Sequence, residues 1–291
     1  MAFLSYLISG LGLGSVYAII ALGYSMVYGI AKMLNFAHGD IIMVGAYVAF
    51  YMLSSFGMPV IPAVLVSIVV CLVLGVAIEK LAYKPLRQAS SLSVLITAIG
   101  VSYFLQNGAL LLWGADTKIF PNALPQGSLD IGGLSVSYLS MITIAVNIII
   151  MILLTLFINK TKTGRAMRAC SEDKGAATLM GINVNRIISI TFAIGSGLAA
   201  IAAVLLVSSY PSVYPTLGSM PGIKAFTAAV FGGIGSIPGA FLGGLLLGII
   251  EIFARAYIST QLSDAIVFAV LIVVLLIKPT GLLGKKINEK V

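Results

Sequence analysis

The chain is 291 residues long, 60% hydrophobic and only 9% charged, with a mean hydropathy of +1.12. Soluble globular domains carry roughly 25% charged residues, so this chain cannot cover its own surface against water. Its excess of 17 Lys and Arg over 9 Asp and Glu does not mark a nucleic-acid partner, because the basic residues sit at the ends of apolar runs, where the positive-inside rule places them.

About 20 apolar residues make one bilayer crossing, and several such runs follow one another. The first begins at Leu4 and continues to Ile30. It exceeds a signal-peptide core of roughly 7–15 residues and has no basic region ahead of it, so it stays in the bilayer as a helix. Further helices are predicted near 36–56, 60–78, 91–112, 138–158, 187–207, 223–250 and 262–277. The pattern reads as an all-α polytopic membrane protein of about eight hydrophobic segments, a single transmembrane domain over 1–291. Cys71 lies in an apolar run and Cys170 in a basic loop, so no disulfide is predicted, and two cysteines are too few for a metal cluster.

Basic residues fix the orientation. They gather in 79–90 (Lys80, Lys84, Arg87), in 159–186 (Lys160, Lys162, Arg165, Arg168, Lys174, Arg186) and in the tail (Lys278, Lys285, Lys286, Lys290). These segments are predicted cytoplasmic, with 113–137 and 208–222 on the outside, the N-terminus outside and the C-terminus inside. Three crossings between 159–186 and the tail would strand the tail lysines on the wrong side. The sequence Gly232-Gly233, Gly235 and Pro238 therefore predicts a broken or re-entrant element at about 223–256, with Glu251 and Arg255 near the outer surface. Small residues at helix-contact spacing, Gly10, Gly12 and Gly14, then Gly239/Gly243 and Gly244/Gly248, predict close helix packing in lipid.

The most informative loop runs from Thr163 through Gly164-Arg165-Ala166-Met167-Arg168-Ala169-Cys170-Ser171-Glu172-Asp173-Lys174-Gly175-Ala176-Ala177-Thr178-Leu179-Met180-Gly181-Ile182-Asn183. Ser171 reads as an N-cap, with Glu172 and Asp173 at the positive end of the first turn. Gly181 suits the position just past the helix end. Ala176, Ala177, Leu179 and Met180 give this short helix an apolar side, which either packs on the chain's own neighbours and the membrane surface or docks into a groove on a partner.

Three stretches together carry a family resemblance: Gly14-Ser15-Val16-Tyr17-Ala18 through Asn35-Phe36-Ala37-His38-Gly39-Asp40, the loop above, and Phe231-Gly232-Gly233-Ile234-Gly235-Ser236-Ile237-Pro238-Gly239-Ala240. Over nearly its whole length the chain resembles the branched-chain amino acid ABC importer permeases of the LivH type. In permeases of this kind a cytoplasmic Glu-Ala-Ala…Gly element inserts into the ATPase. The matching positions are Ala176, Ala177 and Gly181, with Gly175 where the acidic residue often stands. The resemblance thus implies an ATPase-coupling set of Glu172, Asp173, Ala176, Ala177, Gly181 and Ile182, with either Glu172 or Asp173 to supply the acidic contact. It also implies a bacterial inner-membrane importer with a second, homologous permease chain, two ATP-binding subunits and an external substrate-binding protein. No cofactor is expected in this chain: it has no Gly-x-x-x-x-Gly-Lys-Ser/Thr phosphate loop, and ATP and Mg would be bound by the partner ATPases. The implied substrate is a branched-chain or other apolar amino acid; related permeases handle urea or short amides.

Charges inside the bilayer are expensive and mark function. The candidates for a translocation pathway are Asn35, His38 and Asp40 around the second span, and Lys224, Gly232 and Gly233 in the Gly-broken element. Asn35, His38 and Asp40 equally suit helix-start backbone, and His38 has no third ligand or nucleophile for metal or catalytic chemistry. Short, Gly-interrupted segments follow a long helix in both halves, Asn35–Phe50 and Met220–Gly235, as discontinuous helices do at transporter binding sites. Ser93, Thr97, Gln106, Asn107, Asn147, Thr191 and Ser196 either line the pathway or bond helices together. A self-sufficient ion-coupled carrier would instead place ion-coordinating carboxylates in the spans.

Overall fold

The structure, a computed structural model, describes residues 2–131 and 134–284. In chain order it comprises α1 (Ala2–Ala31), α2 (His38–Ser54), α3 (Val60–Ile78), α4 (Ser91–Trp113), β1 (Lys118–Ile119), β2 (Ser128–Ile131), β3 (Leu134–Ser137), α5 (Tyr138–Lys160), α6 (Lys162–Glu172), α7 (Lys174–Leu179), α8 (Val184–Ser209), β4 (Ser212–Val213), α9 (Ser219–Gly232), α10 (Ile237–Tyr257) and α11 (Ser263–Ile277). The all-α reading is correct. Six helices are long and apolar enough to cross a bilayer, α2 and α11 are shorter apolar helices, and the strands form two small two-stranded pairs. Lys285, Lys286 and Lys290 lie outside the described residues.

Helices α1 and α8 form the buried centre, with Ala18 through Leu22 of α1 and Ala199, Ala200, Ala202 and Ala203 of α8 fully enclosed. Around them, α3, α4, α5 and α11 turn large apolar side chains outward, among them Val73, Phe104, Leu153 and Leu276. That is the expected exterior of a protein solvated by lipid. Small residues let α1 and α10 run antiparallel in backbone contact: a Cβ on Gly14 would lie 2.7 Å from the Leu245 carbonyl oxygen, and one on Gly10 2.8 Å from the Ile249 Cα. Apolar burial gives helices little drive to associate in lipid, so such close approach supplies it.

Two faces follow. On one, Lys174 of α7 reaches the C-terminal end of α1, Gly235 sits against Gly29, and the chain near Leu282 and Leu283 bonds to the end of α9. On the other, β1 pairs with β4, Arg255 meets Tyr210 and Tyr6 meets Tyr257. These are called the α7 face and the strand face.

A helix of 14 residues spans about 21 Å at 1.5 Å per residue, short of the roughly 30 Å hydrocarbon core. Helix α9, with 14 residues, therefore completes its pass only together with the non-helical stretch 210–218, which descends from the strand face. Helix α2 is likewise preceded by the non-helical stretch 32–37, which rises from the α7 face. His38 consequently lies at the level of Gly23 and Gly195, the latter halfway along α8. The units α1–α2 and α8–α9 run in opposite senses, and α5, α6 and α7 connect the two halves.

Two expectations are corrected. The element at about 223–256 is broken where the glycines predict, at 233–236, but the break joins two helices, α9 and α10, on the α7 face and is not a re-entrant turn. Gly233, at φ 109°, ends α9, and the Ser236 side chain caps α10 by accepting from the Gly239 N–H. Further interruptions lie at 32–37 and 210–218. With α9 counted, the chain makes nine passes among the described residues, and Lys278 returns to the α7 face with the other basic loops. The second correction concerns the loop: Ser171 is not an N-cap. Its hydroxyl donates to the Arg168 carbonyl within an unanticipated amphipathic helix, α6, whose Met167 and Cys170 are buried. Asp173 caps the next helix instead, accepting from the Ala176 N–H at 3.0 Å.

Candidate functional site

The starts of α2 and α9 abut at mid-depth. A Cβ on Gly39 would sit 2.5 Å from the Gly218 carbonyl oxygen, and one on Gly222 2.9 Å from the Gly39 Cα. Neither helix has a side-chain cap, so two positive helix ends converge. Asp40, 2% exposed in the first turn of α2, places a carboxylate there. Gln106 of α4 donates to Asp40 Oδ1 at 2.9 Å and lies 3.2 Å from Ser102 Oγ and 3.4 Å from Ser219 Oγ. One carboxamide therefore bridges the starts of both half-helices. Behind it, Tyr24 packs edge-on against His38 at 4.6 Å and against Phe226 at 5.8 Å. His38 Nε2 is buried without a hydrogen-bond partner among the described residues. A cleft of about 470 Å³ opens beside this junction, lined by Tyr103, Gln106, Asn107, Leu110, Thr117 and Tyr214 among others, with no Lys, Arg, His, Asp or Glu in its wall.

The anticipated pathway residues divide into three places. Asn35, His38 and Asp40 gather at the junction, all buried; Asn35 Oδ1 accepts from Tyr83 OH at 2.9 Å. Lys224 is on α9 but turns into a separate ion cluster. Gly232 and Gly233 lie at the far end of α9, packed on Gly239 and Gly284, where they serve the turn rather than the junction.

That ion cluster is what sequence reasoning missed. Lys224 Nζ lies 2.7 Å from both Glu251 Oε1 of α10 and Asp264 Oδ1 of α11. Tyr17 OH donates to Glu251 Oε2 at 3.0 Å, and Arg255 pairs with Glu251 one turn along α10. Glu251 is fully buried, whereas the Asp264 side chain is 41% exposed. A signal was present: a lysine inside an apolar helix with no acidic neighbour on that helix must take its partner from another.

On the α7 face, α7 ends in two capping bonds, Ile182 N–H to the Ala177 carbonyl and Gly181 N–H to the Thr178 carbonyl, with Gly181 at φ 80°. This is the arrangement that a left-handed residue just past the helix end permits. Ala177 is buried against the chain, while Leu179 and Met180 are 90% and 82% exposed. The supposed single apolar side thus points two ways. Glu172, Asp173 and Ala176 are exposed and Ile182 is half-buried. Lys174 Nζ donates to the Ala31 carbonyl at 2.7 Å; burial, and then the nearby Arg87 and Lys32, push this ammonium below the usual lysine range.

Backbone that leaves helical geometry within a bilayer is tolerated where protein or a water-filled cavity satisfies it, and half-helices meeting at mid-depth are a feature of proteins that move solutes. The fold therefore defines a polytopic membrane permease. The chain belongs to the family described as branched-chain amino acid transport system / permease component, whose profile matches residues 6–275. It is 47% identical to the high-affinity branched-chain amino acid transport system permease protein BraD of Pseudomonas aeruginosa, over 99% of this chain and 98% of that protein. It is 45% identical to the corresponding LivH protein of Escherichia coli K12, again over 99% and 98%. A probable branched-chain amino acid transport permease LivH of Methanocaldococcus jannaschii is 30% identical over 91% of this chain and 88% of that protein.

Proposed function

We propose that this chain is the membrane-spanning permease subunit of an ABC-type importer of branched-chain amino acids, driven by ATP hydrolysed in partner subunits. The observation that carries the reading is α7. A six-residue helix capped at both ends leaves Leu179 and Met180 uncovered by the rest of the chain. An exposed apolar tip on a rigid, capped mount suits insertion into a groove of a partner protein, here the ATPase, with Glu172, Asp173, Ala176, Gly181 and Ile182 around it. The α7 face is the cytoplasmic one in this reading. It carries the basic segments 79–90 and 159–186 together with Lys278, whereas the strand face carries Asp116, Asp130 and Asp264 beside Lys118 and Arg255.

Solute passes along the charge-free cleft, with Gln106 and the Asp40 it holds at the boundary between the half-helices. A neutral, partly apolar wall suits a solute that must leave as readily as it enters, and leaves selection to an external binding protein. The substrate class is supported by the names of the relatives. The rival reading, a self-sufficient carrier, gains buried carboxylates in Asp40 and Glu251, but Gln106 donates to the first and Lys224, Arg255 and Tyr17 already occupy the oxygens of the second.

The test is Leu179→Asp/Met180→Asp in the native host. Loss of radiolabelled leucine uptake and of ATPase co-purification, with normal membrane insertion, is expected. Normal leucine uptake by the inserted double variant would overturn the docking role; uptake of urea in place of leucine by the unaltered chain would overturn the substrate class.

A further inference from the structure

The last carbonyls of a helix have no partner within it. At the end of α1, Ala31 O is one of these, and it accepts from Lys174 Nζ at 2.7 Å, across 143 residues of sequence. The next residue, Lys32, is at φ 57° and is the only non-glycine among the described residues with positive φ. Such a conformation persists only where the surroundings over-determine it. The surroundings here are Lys174 on one side and Tyr83 on the other. Tyr83 sits in a π-helical turn, Glu79–Tyr83, that continues α3, and its hydroxyl reaches the Leu34 carbonyl at 3.4 Å and Asn35 Oδ1 at 2.9 Å. Turns of this kind re-aim side chains within a helix and recur at functional sites. From Lys32 the non-helical stretch leads directly to His38 and Asp40 at the mid-depth junction.

We infer that Lys174 is a positioning residue for transport: it ties the first turn of α7 to the hinge at Lys32, so that movement of α7 is delivered to the start of α2. Helix α1 is packed too tightly against α8 and α10 to shift by itself. Stretch 32–37 has no helical ladder to lose and is held just before its start, at Ala31, by a side chain from α7 and at its middle, at Leu34 and Asn35, by one from the turn that continues α3. A pull on Ala31 O or its release changes the backbone at Lys32, and the stretch beyond it carries that change to Asp40 and its bond to Gln106. This rests on the reading of α7 as the ATPase-docking helix.

The experiment uses the whole complex in liposomes, measuring radiolabelled leucine uptake and ATP hydrolysis together. Lys174→Met keeps the aliphatic stem and removes the donor. Expected are ATP hydrolysis within twofold of the unaltered complex and leucine moved per ATP reduced at least tenfold, with Lys174→Arg restoring at least a third of the ratio. Lys32→Gly frees the hinge without strain, and is expected to lower the ratio at least threefold while melting no earlier than the unaltered protein; an uncoupled variant of full stability is not a misfolded one. A wild-type ratio in Lys174→Met overturns the inference, and if that variant fails to insert, a wild-type ratio in Lys32→Gly does so. Should Leu179→Asp/Met180→Asp also keep full uptake and its ATPases, the docking reading itself has failed; should that variant lose both while Lys174→Met transports normally, only the tie is wrong.

Discussion

Replacing Glu251 with leucine tests whether the ion cluster holds α9, α10 and α11 together. Glu251 is fully buried, and the Lys224 side chain is 6% exposed. Removing one partner of a buried ion pair typically destabilises by about 3–5 kcal/mol, because the other charge is left uncompensated. Lys224 would keep Asp264, which is 41% exposed and brings water with it, so the low end applies, about 3 kcal/mol. Tyr17→Phe removes one hydrogen bond from the same carboxylate. Hydrogen bonds between membrane helices average about 0.6 kcal/mol and reach about 1.7 at most, so its effect is several times smaller. Lys224→Met/Glu251→Leu replaces the inner pair with apolar groups. Such replacements are often neutral, and Arg255 keeps Tyr210 while Asp264 keeps water. The double variant is expected within about 1 kcal/mol of the parent, a coupling of at least about 2 kcal/mol. Trp113 is the sole tryptophan and stacks on Tyr47 at 4.2 Å, so its fluorescence in detergent titrated with dodecyl sulfate reports unfolding. Additive losses in the two single variants and the double would refute the argument, as would a Tyr17→Phe effect as large as that of Glu251→Leu.

Gly39→Val forces a side chain into the Gly218 and Gly222 backbone and is expected to abolish leucine uptake, while the exposed, uncrowded Gly100→Val leaves it unchanged; equal uptake in both would remove the close contact of the half-helices from the mechanism. Gln106→Leu takes the amide donor from the buried Asp40 carboxylate, at about 1–3 kcal/mol for an unsatisfied buried group, and its uptake is expected to fall more than its melting temperature does. Cys170 is 1% exposed and burial raises its thiol above the usual cysteine range. The reactive thiolate forms only above the folded value, so alkylation of the native protein should have its midpoint at higher pH than alkylation of the denatured protein; coincident profiles would refute this. For Lys174, whose folded value is lowered, the unfolded state binds more protons between the lowered value and the ordinary one. Stability is therefore expected to rise with pH across that alkaline window, and the rise to vanish in Lys174→Met.

Most of the fold was legible because a bilayer imposes one requirement, long apolar runs, that composition meets openly. The runs at 60–78, 91–112 and 138–158 match α3, α4 and α5 within a few residues. The failures share a cause. The depth at which the chain leaves helical geometry is not written in its residues: Lys32 and Asn35 alone mark 32–37 as polar, and Pro211, Ser212, Pro215 and Gly218 announce a non-helical stretch at 210–218 without saying that it descends from the strand face. The link 233–236, Gly-Ile-Gly-Ser, announces a break, but a break alone does not say whether the chain turns back within the bilayer or begins another pass. The misplaced N-cap arose because Ser171 and Asp173 are both good capping residues two positions apart; only the burial of Met167 and Cys170 decides that the earlier helix runs through Ser171. In the candidate site, His38 and Asp40 were legible as polar groups at a helix start, but Glu251 and Asp264 belong to helices that the sequence does not place beside Lys224.

The ion cluster also bears on how the protein works under a membrane voltage. Lys224 and Arg255 contribute two positive charges, Glu251 and Asp264 two negative, so the block formed by α9, α10 and α11 carries no net charge from these groups. Moving one elementary charge across the full potential is worth about 2.3 kcal/mol per 100 mV. A neutral block moves without doing that work, so at a fixed ATP concentration its displacement is expected to be neither driven nor opposed by the membrane potential. Lys224→Met would give these groups a net negative charge, and leucine uptake by that variant is expected to depend on an imposed voltage more than uptake by the unaltered protein.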